Sequence, residues 1–179
     1  LFGHAAANFA RAMSAEPSLG LDGGFVGATT GTDRFDEQSK VVGIYTERLK
    51  AMPRGFGGLI LEAGCAFGKT VTACRIAYSL GRRTAILVHK EFFLHQWKDR
   101  IEEFFPGARV GITRQSKCQW KGYDFTICLV QSLHAREYGD DFYRAFGLVV
   151  VDEVHRFGAA TFAPVMPRFA ARYRIGLSA

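Results

Sequence analysis

Hydrophobic spacing changes character near residue 38. Residues 1–37 are rich in Gly, Ala and Ser, include the loop-like run GLDGGFVGATTGTD, and show no steady apolar period. They read as an N-terminal extension, flexible or belonging to an upstream domain, ahead of a folded unit over 38–179. In DEQSKVVGIYTERLKAM, Val41, Val42, Tyr45 and Leu49 recur at helical spacing, and Asp36 and Glu37 suit an acidic first turn. Pro53 and Gly55 end that helix. Short apolar runs then alternate with amphipathic ones. GLILEA, TAILVH, ARVGI, FTICLVQSL, GLVVVDEV and RYRIGLSA read as strands. KTVTACRIAYSLG and EFFLHQWKDRIEEFF read as helices, the second with Phe92, Phe93, Trp97 and Ile101 as its core stripe.

Strands that are apolar throughout and separated by helices specify an α/β fold: a mostly parallel sheet with helices on both faces. Right-handed crossovers gather the functional loops at the carboxyl ends of the strands. Two of those ends carry chemistry.

The first is AGCAFGKT, Ala63–Thr70, which fits the phosphate-loop pattern G-x-x-x-x-G-K-[ST] with Ala63 in place of the first Gly. Gly64 and Gly68 let backbone N–H groups turn inward around phosphate oxygens. The helix beginning near Lys69 aims its positive dipole end at the same anion. Lys69 brings a point charge for the outer phosphates, and Thr70 a hydroxyl for Mg²⁺. Phe67 reads as packing and Cys65 as an incidental thiol. The bland alternative is a Gly-Lys-Thr that merely opens a helix.

The second is LVVVDEVH, where Asp152 suits Mg²⁺ and Glu153 suits the orientation and deprotonation of an attacking water. Alone, an Asp-Glu pair at a strand end is a solvated turn. Placed 83 residues after Lys69 (152 − 69) in an α/β chain, it completes a site for ATP or GTP hydrolysis.

Composition narrows the surroundings. The 179 residues, 48% hydrophobic and 22% charged, suit one globular domain. No apolar run approaches the roughly 20 residues of a membrane span, and the start lacks signal-peptide order. Cys65, Cys74, Cys118 and Cys128 form no CxxC pair and no zinc-spaced cluster, which suits free thiols in a reducing compartment. A cytoplasmic protein without a membrane partner is expected. The net charge of +6 admits a polyanionic partner without demanding one. The missing initiator Met and the stop directly after an apolar run lead to the expectation of a fragment.

Five stretches, in order over 38–179, resemble motifs of superfamily 2 helicases and translocases. DEVH resembles the DExH box, and Ala63 before the loop is the form common there. ILVHKEFFLHQW resembles motif Ia, VQSL the next motif that touches nucleic-acid backbone, and GLSA the start of motif III. Gln38 stands where many members place an adenine-reading Gln. The type III restriction subunit/DEAD-like branch, with helicases of bacteriophages and large DNA viruses, is the nearest in pattern.

That resemblance implies a first RecA-like lobe of a phosphate-loop NTPase that uses ATP and Mg²⁺. It implies a nucleotide site of Gln38, Ala63, Gly64, Cys65, Ala66, Phe67, Gly68, Lys69 and Thr70. Catalysis falls to Lys69, Asp152 and Glu153, metal ligation to Thr70 and Asp152, and coupling to His155 and Ser178. Lys90, Gln96, Gln131 and Ser132 become candidates for nucleic-acid backbone contact, with DNA preferred to RNA. Gln96 has the alternative of anchoring its helix, and His155 that of simple packing. Arg82, Arg83, Arg109, Arg114, Lys117 and Lys121 could extend the contact surface, most of them reading as solvated charges. A second RecA-like lobe, bearing an arginine for the transferred phosphoryl group, is expected in the parent chain. Residues 1–179 alone are then expected to bind ATP weakly, hydrolyse it poorly and unwind nothing. A viral or phage protein would act in the host cytoplasm. The competing readings are the motor subunit of a restriction endonuclease and a nucleotide-dependent nucleic-acid-binding switch.

Overall fold

The computed structural model describes residues 33–53, 58–157 and 159–179. The expectations for residues 1–32 and for Gly55 as a helix stop lie outside the described residues. Helix α1 (Asp33–Ala51) opens before residue 38, so the expected unit boundary falls inside its first turns. Val42 and Leu49 are its buried apolar positions, with Val41 and Tyr45 packed at the margin, as the helical spacing requires.

The chain continues through β1 (Leu59–Glu62), α2 (Lys69–Leu80), β2 (Thr84–Val88), α3 (Glu91–Phe104), β3 (Val110–Arg114) and β4 (Lys117–Cys118). It then forms β5 (Phe125–Leu129), α4 (Val130–Ala135), α5 (Asp140–Arg144), β6 (Leu148–Val151), α6 (Ala159–Phe162) and β7 (Tyr173–Ser178). Among the described residues, seven strands make one sheet in the order β1-β7-β6-β2-β5-β3-β4. Neighbours are parallel except β3 with β4.

The pleat sends alternate side chains of each central strand to opposite faces. Ile86, Val88 and Val150 pack with α1, α2 and α3 through Leu49, Ile76, Leu94 and Ile101. Ala85, Leu87, Val149 and Val151 pack the other way, on Leu133, Phe142, Phe146 and Phe169. Both faces being covered explains why β2 and β6 are buried at every position and, Thr84 apart, apolar throughout.

Two expectations need correction. The run FTICLVQSL is not one strand: β5 stops at Leu129, and Val130 opens α4. Val130 and Leu133 are buried one helical turn apart, a period that a short apolar run cannot distinguish from strand burial. Phe92 is not in the core stripe of α3, being 71% exposed; the stripe is Leu94, Trp97 and Ile101.

The topology positions the chemistry. Strands β1 and β6 are separated only by β7, to which both are parallel. At the usual strand spacing their carboxyl ends lie roughly 10 Å apart on one edge of the sheet. Ala63–Thr70 and Asp152–Glu153 leave from those two ends.

Candidate functional site

Beyond β1 the chain makes a 3₁₀ turn over Cys65–Phe67 and enters α2 through Gly68. Gly68 is left-handed at φ +85°, and a Cβ there would stand 2.7 Å from Gln38 Nε2. The first α-helical bond follows at once, with Thr72 N–H donating to the Gly68 carbonyl at 3.0 Å. The loop is thereby bent sharply and its following N–H groups face out of the helix start. Gly68→Ala is expected to lower stability by roughly 1–2 kcal/mol, the penalty of forcing an L side chain into that region. It should also weaken nucleotide binding, because the Gln38 contact must move. Thermal unfolding and a nucleotide titration check both; a variant unchanged in each contradicts the role given to Gly68.

Lys69 is 9% exposed, and its Nζ donates to the Ala63 carbonyl at 2.7 Å and the Gly64 carbonyl at 3.5 Å. The ammonium therefore lies across the loop it would share with a phosphate. Gln38 is buried too, and its Nε2 donates to the Phe67 carbonyl at 2.6 Å. The residue expected to read adenine thus braces the back of the loop with its amide group. Ala63 N–H donates to the Ser178 carbonyl, which ties loop entry to the end of β7.

At the end of β6, Asp152 N–H donates to the Leu87 carbonyl at 3.0 Å, and its Oδ2 accepts from Trp97 Nε1 at 2.8 Å. Asp152 is 9% exposed, and burial holds its carboxyl above the ordinary carboxylate range, against the lowering effect of the Trp97 N–H. A raised folded-state pKa means that the ionised carboxylate opposes folding above that pKa, and the penalty fades as pH falls. Asp152→Asn can still accept from Trp97. In chelator at neutral pH it is expected to unfold at a higher temperature than the parent, the gap closing toward the carboxylate range. A midpoint no higher than the parent's contradicts the burial argument.

Glu153 sits at φ +51°, a left-handed position for a non-glycine residue. Its Oε2 lies 3.3 Å from His155 Nε2 and 4.0 Å from Arg156 Nε. His155 Nδ1 is in turn 3.2 Å from Ser178 Oγ. Glu153, His155 and Ser178 form a chain that reaches the phosphate loop through the Ser178 carbonyl. The two coupling candidates therefore meet side chain to side chain.

Gln38, Gly68, Lys69, Thr70, Asp152 and Glu153 line a single cavity of about 470 Å³. One further wall is α3, which contributes Phe93, Gln96, Arg100 and Phe104. These residues follow i, i+3, i+7, i+11, a stripe one residue out of phase with the buried Leu94, Trp97 and Ile101. Gln96, expected beside nucleic acid, stands here instead. Among the described residues no cluster of three His, Cys, Asp or Glu could hold a metal. The donor set of one hydroxyl and one carboxylate fits Mg²⁺, which takes few protein ligands and completes its shell with phosphates and water.

The other contact candidates lie at the ends of β2 and β5. Lys90 is exposed, and Gln131 Nε2 donates to the His89 carbonyl at 2.7 Å, joining the two ends. Ser132 is buried, its Oγ accepting from Gln115 N–H at 3.0 Å. Arg109 is engaged by the buried carboxylate of Asp124 and Arg114 by Glu91. Sequence reasoning passed over Trp97, Arg100 and Phe104 as site residues; the offset stripe on α3 is the signal that could have found Arg100 and Phe104, whereas Trp97 belongs to the buried stripe. Among the described residues no helix is long and apolar enough to cross a membrane.

A parallel sheet with a phosphate loop at one strand end and an acidic pair two strands away is a phosphate-loop NTPase lobe of the RecA type. Comparison with known proteins narrows the class. The chain belongs to the family described as type III restriction enzyme, res subunit, whose sequence model matches residues 33–179, and it is a first lobe of the superfamily 2 helicase kind. Protein L396 of Acanthamoeba polyphaga mimivirus, whose name proposes an ATP-dependent RNA helicase, is 36% identical over 150 residues, covering 84% of this chain and 28% of its own length. The SWI2/SNF2 ATPase core of Sulfolobus solfataricus, solved in complex with double-stranded DNA, superposes with a TM-score of 0.62 at 17% identity. That match covers 79% of this chain and 31% of the other. The UvsW helicase of bacteriophage T4 gives 0.61 at 14% identity, with coverages of 97% and 59%. At those identities the structural matches speak for the fold alone. The chain spans little more than a quarter of L396.

Proposed function

We propose that residues 33–179 are the ATP-binding lobe of a nucleic-acid-stimulated helicase or translocase. The observation that carries this is the shared cavity, in which the phosphate loop, Asp152 and Glu153 face one another across the width of β7. Lys69 and the N–H groups at the start of α2 hold the outer phosphates. Thr70 and Asp152 hold Mg²⁺, which when bound neutralises charge on the phosphate oxygens. Glu153 takes the proton of the attacking water, and His155 and Ser178 pass changes at Glu153 to the end of β7 and the loop. Gln38 steadies the loop at Phe67, leaving its amide oxygen available for base recognition.

Nucleic acid is proposed to cross the ends of β2 and β5, where Lys90 is exposed and Gln131 fixes the turn. Ser132 is better suited to supporting Gln115 than to direct contact. Binding through phosphates would fall steeply with salt and depend little on sequence. A second lobe would supply the arginine that adds about 10³-fold or more to turnover in related NTPases. DNA is the proposed track; the name of L396 gives weight to RNA.

The test is ATP turnover by the full-length protein with no polymer, with DNA and with RNA. Stimulation by either supports a motor, and the stronger polymer names the track. Turnover indifferent to both would favour a nucleotide-dependent switch.

A further inference from the structure

We propose that Trp97 is a positioning residue for the Mg²⁺-holding carboxylate, fixing Asp152 so that it presents one set orientation to the ion. This rests on the reading of the cavity as a Mg²⁺-nucleotide site. A buried indole N–H requires an acceptor, and a backbone carbonyl would satisfy it. Trp97, only 2% exposed, instead gives its N–H to Asp152 Oδ2 at 2.8 Å, across 55 residues of sequence. A bond to a charged acceptor is stronger than one between neutral groups.

The arrangement fixes Asp152 twice to the same unit. Its backbone N–H donates to Leu87 in β2, and its carboxylate accepts from Trp97 in α3, which follows β2 after His89 and Lys90. With main chain and side chain both held by the β2–α3 unit, rotation of the carboxylate is restricted. The rest of that helix packs into the core through Leu94 and Ile101, so the donor itself cannot swing away. Partners that orient metal-binding groups in this way commonly account for 10- to 100-fold in metal affinity or activity.

Trp97→Phe keeps a buried aromatic ring and removes the N–H together with part of the indole's volume, a packing loss that the affinity in chelator and thermal unfolding report separately. Binding of a fluorescent, non-hydrolysable ATP analogue would be followed while Mg²⁺ is titrated in from chelator. The expected result is unchanged affinity in chelator and a half-saturating Mg²⁺ concentration raised roughly 10- to 100-fold. An indole that serves packing alone would leave the Mg²⁺ dependence as in the parent, and that result overturns the proposal. A second measurement does not need this variant to fold. In Trp120→Phe, Trp97 is the only indole of the two in the chain. Its emission is expected to change when Mg²⁺ is added to nucleotide-loaded protein, and not when nucleotide is added in chelator. Emission blind to the metal overturns the proposal. If the parent chain itself shows no Mg²⁺-stimulated nucleotide binding, the reading of the cavity fails first, an outcome distinct from either of these.

Discussion

Glu153→Gln is expected to keep nucleotide affinity while ATP turnover falls by roughly 10²- to 10⁴-fold, the contribution of a well-placed general base. The reason lies in what the side chain does and does not share with its neighbours. Glu153 lines the cavity, its carboxylate facing His155 at 3.3 Å. An amide of the same shape keeps a hydrogen-bonding oxygen toward His155 but has no basic site for a proton. Because the phosphate loop lies two strands away, the binding surface for phosphates is untouched. Turnover would be measured with saturating nucleic acid and affinity with a non-hydrolysable analogue. Turnover equal to the parent's would remove Glu153 from the chemistry.

Lys69→Ala should show the opposite division, with the loss in binding. The ammonium is nearly buried, pointing across the loop at the Ala63 carbonyl. A phosphate oxygen in the same cavity would take over one of its three donors. Removing a hydrogen bond to a charged group costs roughly 1.5–3 kcal/mol, which corresponds to a 10- to 100-fold weaker nucleotide complex. Calorimetric titration reads the affinity, and unfolding of the nucleotide-free variant separates this from a misfolded loop. An affinity equal to the parent's would mean that the cavity does not receive phosphates.

Much of this is legible along the chain because it is local. A buried strand feeding glycines and Lys-Thr, and an apolar strand ending in Asp-Glu, announce themselves within ten residues. What is not local is less visible. Strand β7 comes last in the described chain yet lies between β1 and β6, so the closeness of the two motifs depends on pairing that no spacing encodes. The boundary at Leu129–Val130 was hidden because Val130 and Leu133 are buried in a helix as fully as they would be in a strand. Short α5 offers too few turns for a period to show. On α3 the aromatic pair Phe92–Phe93 obscures the phase: Phe92 faces outward, Phe93 faces the cavity, and the true core register starts at Leu94. Gln96 and Trp97, adjacent in sequence, consequently serve different surfaces.

A crystal structure of the chain with a non-hydrolysable ATP analogue and Mg²⁺ is the most direct trial of the shared-ion site. The expected density has the triphosphate wrapped by Gly64–Thr70, with Thr70 and Asp152 both reaching one cation, directly or through a single water. A cation held by Thr70 with Asp152 still turned wholly to Trp97 and beyond the reach of its hydration shell would contradict it, as would a nucleotide seated elsewhere.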